Sequence, residues 1–257
     1  MRTCWIVYAR EDLDANRFFA ERLAEGAGEN GMDARIVLAD SLPDGVPDLA
    51  VNRSRDWGLG RRLEDAGAVV SNPPEVSRIC NDKLLTYRLA EDLGIPFLPV
   101  SVPGEPLPPG PPWVVKPRGG HGGEGVRLAR CEGDLDPSEH DVIQSMAGDP
   151  GRDMRVYVLG GKVLAAVMRS NDGDFRANVK QGGSAELCGV PPDAAEAVEK
   201  ICARLGPDLV GIDFVFSGGK AFLNEAEDAV GTRSLYSLTD LDPARLLLGH
   251  LHSKMSL

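Results

Sequence analysis

The sequence lacks the features that mark several large classes of protein. Its 257 residues contain no apolar run long enough to cross a bilayer, and Glu11 and Asp12 interrupt the N-terminal apolar stretch that a signal peptide would need. Lys and Arg number 28 against 39 Asp and Glu, which gives a formal net charge of −11 and leaves no basic stripe. These absences argue against a membrane protein and a nucleic-acid-binding protein, and they lead us to expect a cytoplasmic one.

Cysteine and histidine are also scarce, and their placement argues against a disulfide framework or a zinc site. The five cysteines are widely spaced and form no CxxC pair. We therefore predict reduced and mostly buried thiols. His250 and His252 lie near the C-terminus, where a solvated helix end is a better interpretation than a metal site.

Two common nucleotide-binding fingerprints are missing as well. No GxGxxG follows the first apolar segment, so the N-terminal region lacks the dinucleotide-binding pattern. No Gly-Lys-Ser/Thr ends the glycine-rich segment in the middle of the chain, so that segment is not a P-loop.

What is present begins with an alternation of strand and helix signals over the first 75 residues. The predicted strands are Thr3–Ala9, Ala34–Ala39, Asp48–Asn52 and Ala68–Ser71, with helices at Leu13–Ala27 and before Asp65. Such alternation predicts a parallel sheet.

Hairpins and longer helices are predicted in the rest of the chain. The predicted features are a helix over Pro74–Leu93, a proline-rich connector over Pro103–Pro112, a hairpin turning at Gly160-Gly161, a helix opened by Pro191-Pro192-Asp193, paired strands at Leu209–Phe216 and Ala221–Glu225, and a helix from Leu241.

The clearest local signal is a glycine-rich segment that follows Lys116. Gly120, Gly123 and Gly125 belong to a group of five glycines within seven residues, between two predicted strands. Backbone N–H groups of such a flap can face an anion, and Lys116 supplies a positive charge for phosphate oxygens. A glycine-rich hairpin beside a solvated lysine is the alternative.

Three acidic residues on a predicted hairpin suggest a metal site. Asp213 lies inside an apolar strand, and Glu225 and Glu227 share a face of the returning strand. An odd number of loop residues would place Asp213 opposite Glu225, whereas an even number would separate them. In the first register the carboxylates converge and require a cation, which hard oxygen ligands select as magnesium or manganese. Solvated acids at a strand end are the alternative, although a carboxylate between Ile and Phe is costly without a partner.

Several arginines have the chemistry to bind phosphoryl or carboxylate oxygens. Arg155, Arg169 and Arg176 lie on or beside the central hairpin, with Asn178 close by. Guanidinium groups suit such oxygens and stabilise charge during phosphoryl transfer, although each arginine taken singly is more often a surface residue. Arg53 and Arg55 follow an N-terminal strand, where binding a substrate carboxylate and a surface role are both open.

Taken in order, these motifs resemble a known family. From about Ser77 to Gly231 the chain is similar to the RimK-like branch of the ATP-grasp superfamily, the α-L-glutamate ligases. The matching motifs are Asn81-Asp82-Lys83, Lys116 with its three glycines, Arg152-Asp153-Met154-Arg155, Gly173-Asp174-Phe175-Arg176-Ala177-Asn178, Gly182-Gly183, Gly211-Ile212-Asp213 and Glu225-Ala226-Glu227. Each motif is weak alone, and their order and spacing carry the resemblance.

The resemblance implies an α/β architecture with an ATP-grasp fold. In that fold two α+β subdomains sandwich ATP, and here a small parallel-sheet α/β domain would precede them. The implied boundaries are residues 1–75 for the N-terminal domain, 76–147 for the subdomain with the glycine flap, and 148–257 for the metal-binding subdomain.

The resemblance also implies roles for individual residues. Those expected to contact ATP are Lys83, Lys116, Gly120, Gly123, Gly125, the hinge Gln144-Ser145-Met146, Asp153 at the ribose, Arg155, Arg176 and Asn178. Those expected to act on the reacting groups are Lys116, Arg169, Arg176 and Asn178. Asp213, Glu225 and Glu227 would ligate magnesium, or manganese in its place.

Two positions depart from the family pattern. Glu227 stands where the family usually has asparagine, which keeps a metal ligand but changes the charge of the site. Ser145 stands where the hinge usually has an acidic residue, and recognition of adenine through backbone groups tolerates that change.

The implied reaction joins a carboxylate to an amine through an acyl phosphate. The expected partners are small-molecule carboxylates and amines, namely amino acids or peptides, with no nucleic acid and no membrane. A dipeptide or D-amino-acid ligase and a non-catalytic ATP-binding regulator are the alternatives. Many members of the family form dimers or tetramers, so a homo-oligomer is one expectation for this chain and its state stays open.

Overall fold

A parallel sheet forms the N-terminal region, as the alternating pattern predicts. The protein is described here by a computed structural model that covers residues 1–177 and 182–256. The sheet consists of β1 (Arg2–Tyr8), β2 (Met32–Leu38), β3 (Leu49–Asn52) and β4 (Val69–Ser71), in the order β2-β1-β3-β4. Helices α1 (Arg10–Glu29) and α2 (Trp57–Asp65) connect its strands. The chain leaves β1 toward β2 on one side, and β3 then pairs with the other side of β1.

The segment predicted as one helix over Pro74–Leu93 is two helices, so that prediction is wrong. They are α3 (Pro74–Cys80) and α4 (Lys83–Asp92). Asp82 separates them because its carboxylate accepts hydrogen bonds from the backbone N–H groups of Leu84 and Leu85, which caps a new helix. The apolar spacing continues through this break, so periodicity alone does not reveal it.

Two antiparallel sheets follow in the described part of the chain. The first contains β5 (Val100–Ser101), β6 (Trp113–Pro117), β7 (Arg127–Ala129) and β8 (Asp141–Ser145), in the order β5-β8-β6-β7. The second contains β9 (Arg152–Leu159), β10 (Lys162–Ser170), β11 (Ser184–Cys188), β12 (Leu209–Ser217) and β13 (Lys220–Glu227), in the order β11-β10-β9-β12-β13. The hairpin predicted at Gly160-Gly161 joins β9 to β10 and is confirmed.

Three further α-helices lie in the C-terminal part of the chain. They are α5 (Pro192–Leu205), α6 (Arg233–Leu238) and α7 (Pro243–Lys254). Helix α5 ends at Gly206, which adopts the left-handed conformation that glycine permits. None of the helices that the structure describes is long and apolar enough to span a membrane.

One hydrophobic cluster joins the N-terminal sheet to the C-terminal half of the chain. Side chains of β1 and α1 pack in it with Leu247, Leu248 and Leu251 of α7 and with Leu209 of β12. Asn72 strengthens this junction, because its Oδ1 accepts from the N–H groups of Asp208 and Leu209 at 2.6 and 3.0 Å while its Nδ2 donates to the Leu209 carbonyl and to Asp228. The N-terminal region therefore shares its core with the rest of the protein.

The cysteines carry free thiols, as predicted. Cys4, Cys80 and Cys202 are buried, Cys188 is half-buried, and Cys131 is exposed. Burial raises the pKa of the Cys4 thiol to about 12, which keeps it protonated and unreactive at neutral pH.

Candidate active site

A cleft of about 810 Å³, open to solvent, lies between the two antiparallel sheets. Strands β6 and β8 line it from the first sheet, and strands β9, β12 and β13 line it from the second. Among the residues predicted from the sequence to bind ATP, to act on it or to hold its metal ion, those that line the cleft are Lys83, Lys116, Gly120, Gly123, Gln144, Ser145, Met146, Asp153, Arg176 and Glu225.

Lys116 is held at the cleft by one residue from each sheet. Its Nζ lies 2.6 Å from Gln144 Oε1 and 2.6 Å from Asn224 Oδ1. Burial, opposed by the carboxylate of Glu225 and assisted by the ammonium of Lys83, lowers the pKa of Lys116 to about 8. The cleft therefore holds a cation that is incompletely neutralised, which suits a polyanionic ligand.

Lys83 brings a second cation to the same place. It is the first residue of α4, and its backbone N–H donates to the Arg118 carbonyl at the end of β6, which fixes the helix against the cleft. Its Nζ lies 3.1 Å from the Gly120 carbonyl and 3.2 Å from Glu225 Oε2. Lys83 thus connects the glycine loop to the acidic strand β13.

The glycine loop adopts a backbone that few other residues could follow. Gly120, Gly123 and Gly125 have φ angles of +112°, +78° and +70°. A Cβ on Gly125 would also lie 2.8 Å from Pro117 Cγ, a separation that would force a shift. Gly120 and Gly123 line the cleft, whereas Gly125 does not. Gly125 therefore contributes to the conformation of the loop and not to the lining of the cleft.

The side of the cleft lined by Gln144 has apolar walls and one unpaired donor. The apolar lining comes from Leu98, Val114, Met146, Ala147, Phe175 and Val215. Gln144 is buried, its Oε1 accepts from Lys116, and its Nε2 has no hydrogen-bond partner among the described residues. A buried amide donor without a partner is costly, and an acceptor on a planar ring between apolar walls would satisfy it. This part of the cleft fits a nucleobase.

Arg176 is placed at the cleft by a neighbouring acid. Its Nε and Nη2 donate to Asp174 at 3.0 and 2.7 Å, and its Nη1 lies 3.5 Å from the Val126 carbonyl next to the glycine loop. The pairing lowers the pKa of the Asp174 carboxyl to about 2. Asn178, the neighbouring residue predicted to act at the site, lies outside the described residues.

Asp213 is opposite Glu225 in the sheet, but a bulge rather than an odd loop achieves this. Strands β12 and β13 join at a two-residue turn, Gly218-Gly219, which by itself would pair Asp213 with Asn224. The register shifts between Asp213 and Phe214, so Asn224 is an extra residue on β13. As a result, Asn224 and Glu225 both face the cleft although they are consecutive.

The carboxylates of Asp213, Glu225 and Glu227, predicted to converge on one cation, are not grouped together in the structure. Asp213 is fully buried, and its two oxygens accept from Arg155 at 2.7 Å each, with a further bond of 2.8 Å from Arg169. Arg155 also lies 2.6 Å from Glu227. In the ranges 1–177 and 182–256, no group of three His, Cys, Asp or Glu side chains is arranged to hold a metal ion.

A chain of alternating charges therefore runs behind the cleft. It begins at Asp153, which lies 2.5 Å from Arg169, and continues through Asp213 and Arg155 to Glu227. Burial would raise the pKa of Asp213, but the two guanidinium groups outweigh it and hold the pKa at about 2. Neither Arg155 nor Arg169 lines the cleft, which places both behind the residues that a ligand would meet.

Glu225 is the carboxylate of the predicted metal site that is placed to hold magnesium at the cleft. Magnesium in nucleotide sites is usually held by one or two carboxylates together with the substrate phosphates, so a preformed cluster is not required. Glu225 lines the cleft and fits this role, whereas Glu227, two residues later on the same strand face, does not line the cleft and is paired with Arg155 at 2.6 Å. Asp213 does not fit as a direct ligand in this arrangement, because arginines occupy both of its oxygens.

Sequence reasoning assigned no role to several polar residues that line the cleft, among them Asn224 and His121. Alternation along β13 places Asn224 on the face opposite Glu225, and only the bulge brings it into the cleft. His121 lies within the glycine loop that the sequence does identify, and a histidine among five glycines was a usable signal.

Comparison with known proteins agrees with this geometry. Residues 109–249, more than half of the chain, match the family model of the RimK-like ATP-grasp domain. A probable alpha-L-glutamate ligase of Xanthomonas campestris pv. campestris is 29% identical, over 93% of this chain and 88% of the relative. An uncharacterized protein of Mycoplasma pneumoniae, the MG011 homolog, is 28% identical over 96% of this chain and 91% of that protein.

The fold is shared with a solved ligase structure. The crystal structure of the D-cycloserine synthetase DcsG superposes with a TM-score of 0.77 over 98% of this chain and 99% of that chain, at 18% identity. The predicted ATP-grasp fold and the predicted family are thus confirmed. The chain belongs to the RimK-like ATP-grasp family of ATP-dependent carbon–nitrogen ligases.

Proposed function

We propose that the protein activates a substrate carboxylate with ATP and joins it to an amine, forming an amide through an acyl phosphate. The observation that supports this most directly is the meeting of Lys83, Lys116 and Glu225 in one cleft beside a glycine loop. Two ammonium groups suit a triphosphate, and a carboxylate facing them suits its metal ion.

In this proposal the nucleobase occupies the apolar part of the cleft near Gln144, where the unpaired Nε2 would donate to a ring acceptor. Asp153 lines the same cleft and would bind the ribose. Lys116 and Lys83 would then contact phosphate oxygens, giving up their hydrogen bonds to Asn224 and Gly120. The backbone N–H groups of the glycine loop would cover the phosphates.

The chemistry proceeds in two displacements. A carboxylate oxygen of the first substrate attacks the γ-phosphorus, and ADP leaves. The nitrogen of the amine then attacks the acyl carbon, inorganic phosphate leaves, and the nitrogen loses a proton as the amide forms. No serine, cysteine or histidine nucleophile is needed.

The protein's own residues would stabilise charge and exclude water in these steps. Lys116 and Arg176 would offset negative charge on the transferring phosphoryl group. The glycine loop would keep water from the acyl phosphate, which would otherwise hydrolyse. Magnesium, held by Glu225, would supply Lewis-acid stabilisation to the phosphate oxygens. Asp213 would position Arg155 and Arg169 behind the cleft.

Amino acids or short peptides are the proposed substrates. This proposal draws on relatives named as ligases or synthases of amino-acid compounds, including the probable alpha-L-glutamate ligase and the D-cycloserine synthetase. The cleft itself offers cations for ATP and a carboxylate, and it does not distinguish one amino acid from another.

The test is phosphate release from ATP and magnesium across a panel of carboxylates and amines, with mass spectrometry of the products. We expect release to require one acid and one amine and to give a product with the mass of their amide. Lys116→Met should abolish release, whereas Lys162→Met, at an exposed position on β10, should not. ATP binding without release for any pair in the panel would contradict the proposal and favour a regulatory role.

A further inference from the structure

Tyr8 and Arg53 meet at the carboxyl edge of the N-terminal sheet. Tyr8 is the last residue of β1, and Arg53 directly follows β3, the parallel strand paired with β1. The Arg53 N–H donates to the Val7 carbonyl at 2.7 Å, which ties the two strand ends together. The sheet order reverses at this pair of strands, because β2 lies on the far side of β1. In open parallel sheets, ligands bind at the carboxyl ends of the strands where the order reverses.

Arg53 is a buried cation without an acidic partner within residues 1–177 and 182–256. It is 7% exposed, and it forms no salt bridge with any residue that the structure describes. Its Nη2 donates to the Val230 carbonyl at 2.8 Å, and its guanidinium carbon lies 4.9 Å from the centre of the Phe19 ring. Its Nε has no hydrogen-bond partner in the part of the chain that the structure describes. A buried charge held by one carbonyl and one ring is costly unless an anion joins it.

A second polar group at the same edge is also unsatisfied. Tyr8 is 2% exposed, and its hydroxyl has no hydrogen-bond partner among the described residues. Tyr8, Phe19 and Val230 belong to one buried cluster, and Arg53 contacts the latter two. A guanidinium N–H and a phenol hydroxyl in one cluster are two donors, and a carboxylate is the common group that accepts from both.

This edge of the sheet adjoins the proposed active site on two sides. Val230 comes three residues after Glu227, in the segment that leaves β13. On the other side, Arg55 lies 2.7 Å from Asp12, and Asp12 lies 3.9 Å from His121 of the glycine loop, which lines the cleft. A molecule anchored at Arg53 would therefore lie next to the reacting groups.

We propose that Arg53 and Tyr8 bind a carboxylate that is not phosphorylated, on the substrate that brings the amine. This inference rests on the proposed ligase function and assigns residues to one of its substrates: Arg53 and Tyr8 would hold the free carboxylate of the amino acid or peptide that brings the amine. The Arg53 Nε and the Tyr8 hydroxyl are sealed from solvent, so binding requires the segment at Val230 to move and release its hydrogen bond to Arg53.

The test uses acetate as the simplest carboxylate and needs no turnover. The full-length protein, labelled with ¹⁵N-arginine, is titrated with acetate while the Nε–Hε signals are followed by NMR. Arg53→Lys removes one Nε–Hε signal, which is thereby assigned to Arg53. The matched control is Arg35→Gln, at an exposed position on β2. We expect a saturable shift of the Arg53 signal with acetate and none with acetamide, which has the same shape but no charge.

Tyr8→Phe separates binding from folding, because it removes only the hydroxyl. We expect it to keep the wild-type melting temperature within a few degrees and to weaken acetate binding by about tenfold, as loss of a hydrogen bond to a charged group does. Equal shifts with acetate and acetamide, or no saturable shift, would overturn the proposal, as would binding of inorganic phosphate in preference to acetate. ATP binding to the cleft is measured separately, so failure here leaves the ligase function standing.

Discussion

Lys116 Nζ donates a 2.6 Å hydrogen bond to Asn224 Oδ1 and so links the two antiparallel sheets across the cleft. The bond exists because a β-bulge turns Asn224 toward Lys116 while leaving Glu225 on the same side. Bulges often redirect side chains next to active sites. The bulge on β13 thus lets Asn224 serve as a neutral partner for Lys116 while Glu225 serves as an acidic partner for Lys83.

The first prediction concerns the pH dependence of ATP binding. ATP binds the charged form of Lys116, whose pKa is lowered to about 8, so binding should weaken as pH rises through that value. We expect the Kd for ATP, measured by calorimetry, to rise by about tenfold for each pH unit above 8. The charged groups that influence the pKa of Lys116 are Glu225, Lys83, Asp153 and Asp213.

Two variants check the assignment to Lys116. Lys116→Arg should make the Kd independent of pH over this range, because guanidinium stays charged. Asn224→Asp should move the inflection to higher pH, because a carboxylate 2.6 Å from Nζ favours the charged lysine. An inflection that stays in place in both variants would assign the titration to another group.

The second prediction separates Asp213 from Glu225. Asp213 is buried between two arginines, so Asp213→Asn should lower the free energy of unfolding by about 3–5 kcal/mol. Glu225 is partly exposed at the cleft, so Glu225→Gln should lower stability less than Asp213→Asn does but raise the magnesium concentration needed for turnover. Urea unfolding and magnesium titration of ADP release measure the two effects. An Asp213→Asn protein of normal stability with a raised magnesium requirement would make Asp213 a direct metal ligand.

Much of the fold could be predicted from the sequence because local patterns determine it. Alternating apolar segments predicted β1 and β3, the Gly160-Gly161 pair predicted the hairpin, and Pro192 with the apolar stripe of α5 predicted that helix. These signals each depend on a few neighbouring residues, and the elements that they predict are present in the structure. The break at Asp82 was missed because a capping carboxylate interrupts the helix without interrupting its apolar period.

The residue types of the candidate site could be predicted from the sequence, but which side chains form ion pairs with one another could not. Lys83, Lys116 and Glu225 were identified from motifs, and all three line the cleft. The capture of Asp213 by Arg155 and Arg169 was not foreseen, because it depends on which strand lies beside β12. Alternation within one strand carries no information about the neighbouring strand, so cross-strand ion pairs of this kind escape a reading of the sequence.

The third prediction concerns the shape of the glycine loop. Gly125→Ala places a methyl group 2.8 Å from Pro117 at a φ of +70°, whereas Gly110→Ala meets a similar φ of +60° with nothing within 4 Å. Both changes should cost about 1 kcal/mol from backbone strain, and only Gly125→Ala should also deform the loop. We expect it to lower the rate of ADP release severalfold more than Gly110→Ala does. Equal rates for the two variants would show that the contact with Pro117 is not needed.

The fourth prediction concerns the junction between the N-terminal sheet and β12. Asn72 is buried and makes four hydrogen bonds there, to Asp208, to both backbone groups of Leu209 and to Asp228. Asn72→Ala would leave several of these groups buried without partners, so it should lower the free energy of unfolding by about 2–5 kcal/mol. Asn16→Ala, which removes one local hydrogen bond on α1, should cost about 1 kcal/mol or less. Urea unfolding of the two variants measures the difference, and hydrogen exchange locates it.

Because the N-terminal sheet and β12 share one hydrophobic cluster, Asn72→Ala should lower the protection of β1 and β12 against hydrogen exchange together. Loss of protection confined to β1 would show instead that the N-terminal sheet unfolds independently of the catalytic part of the protein.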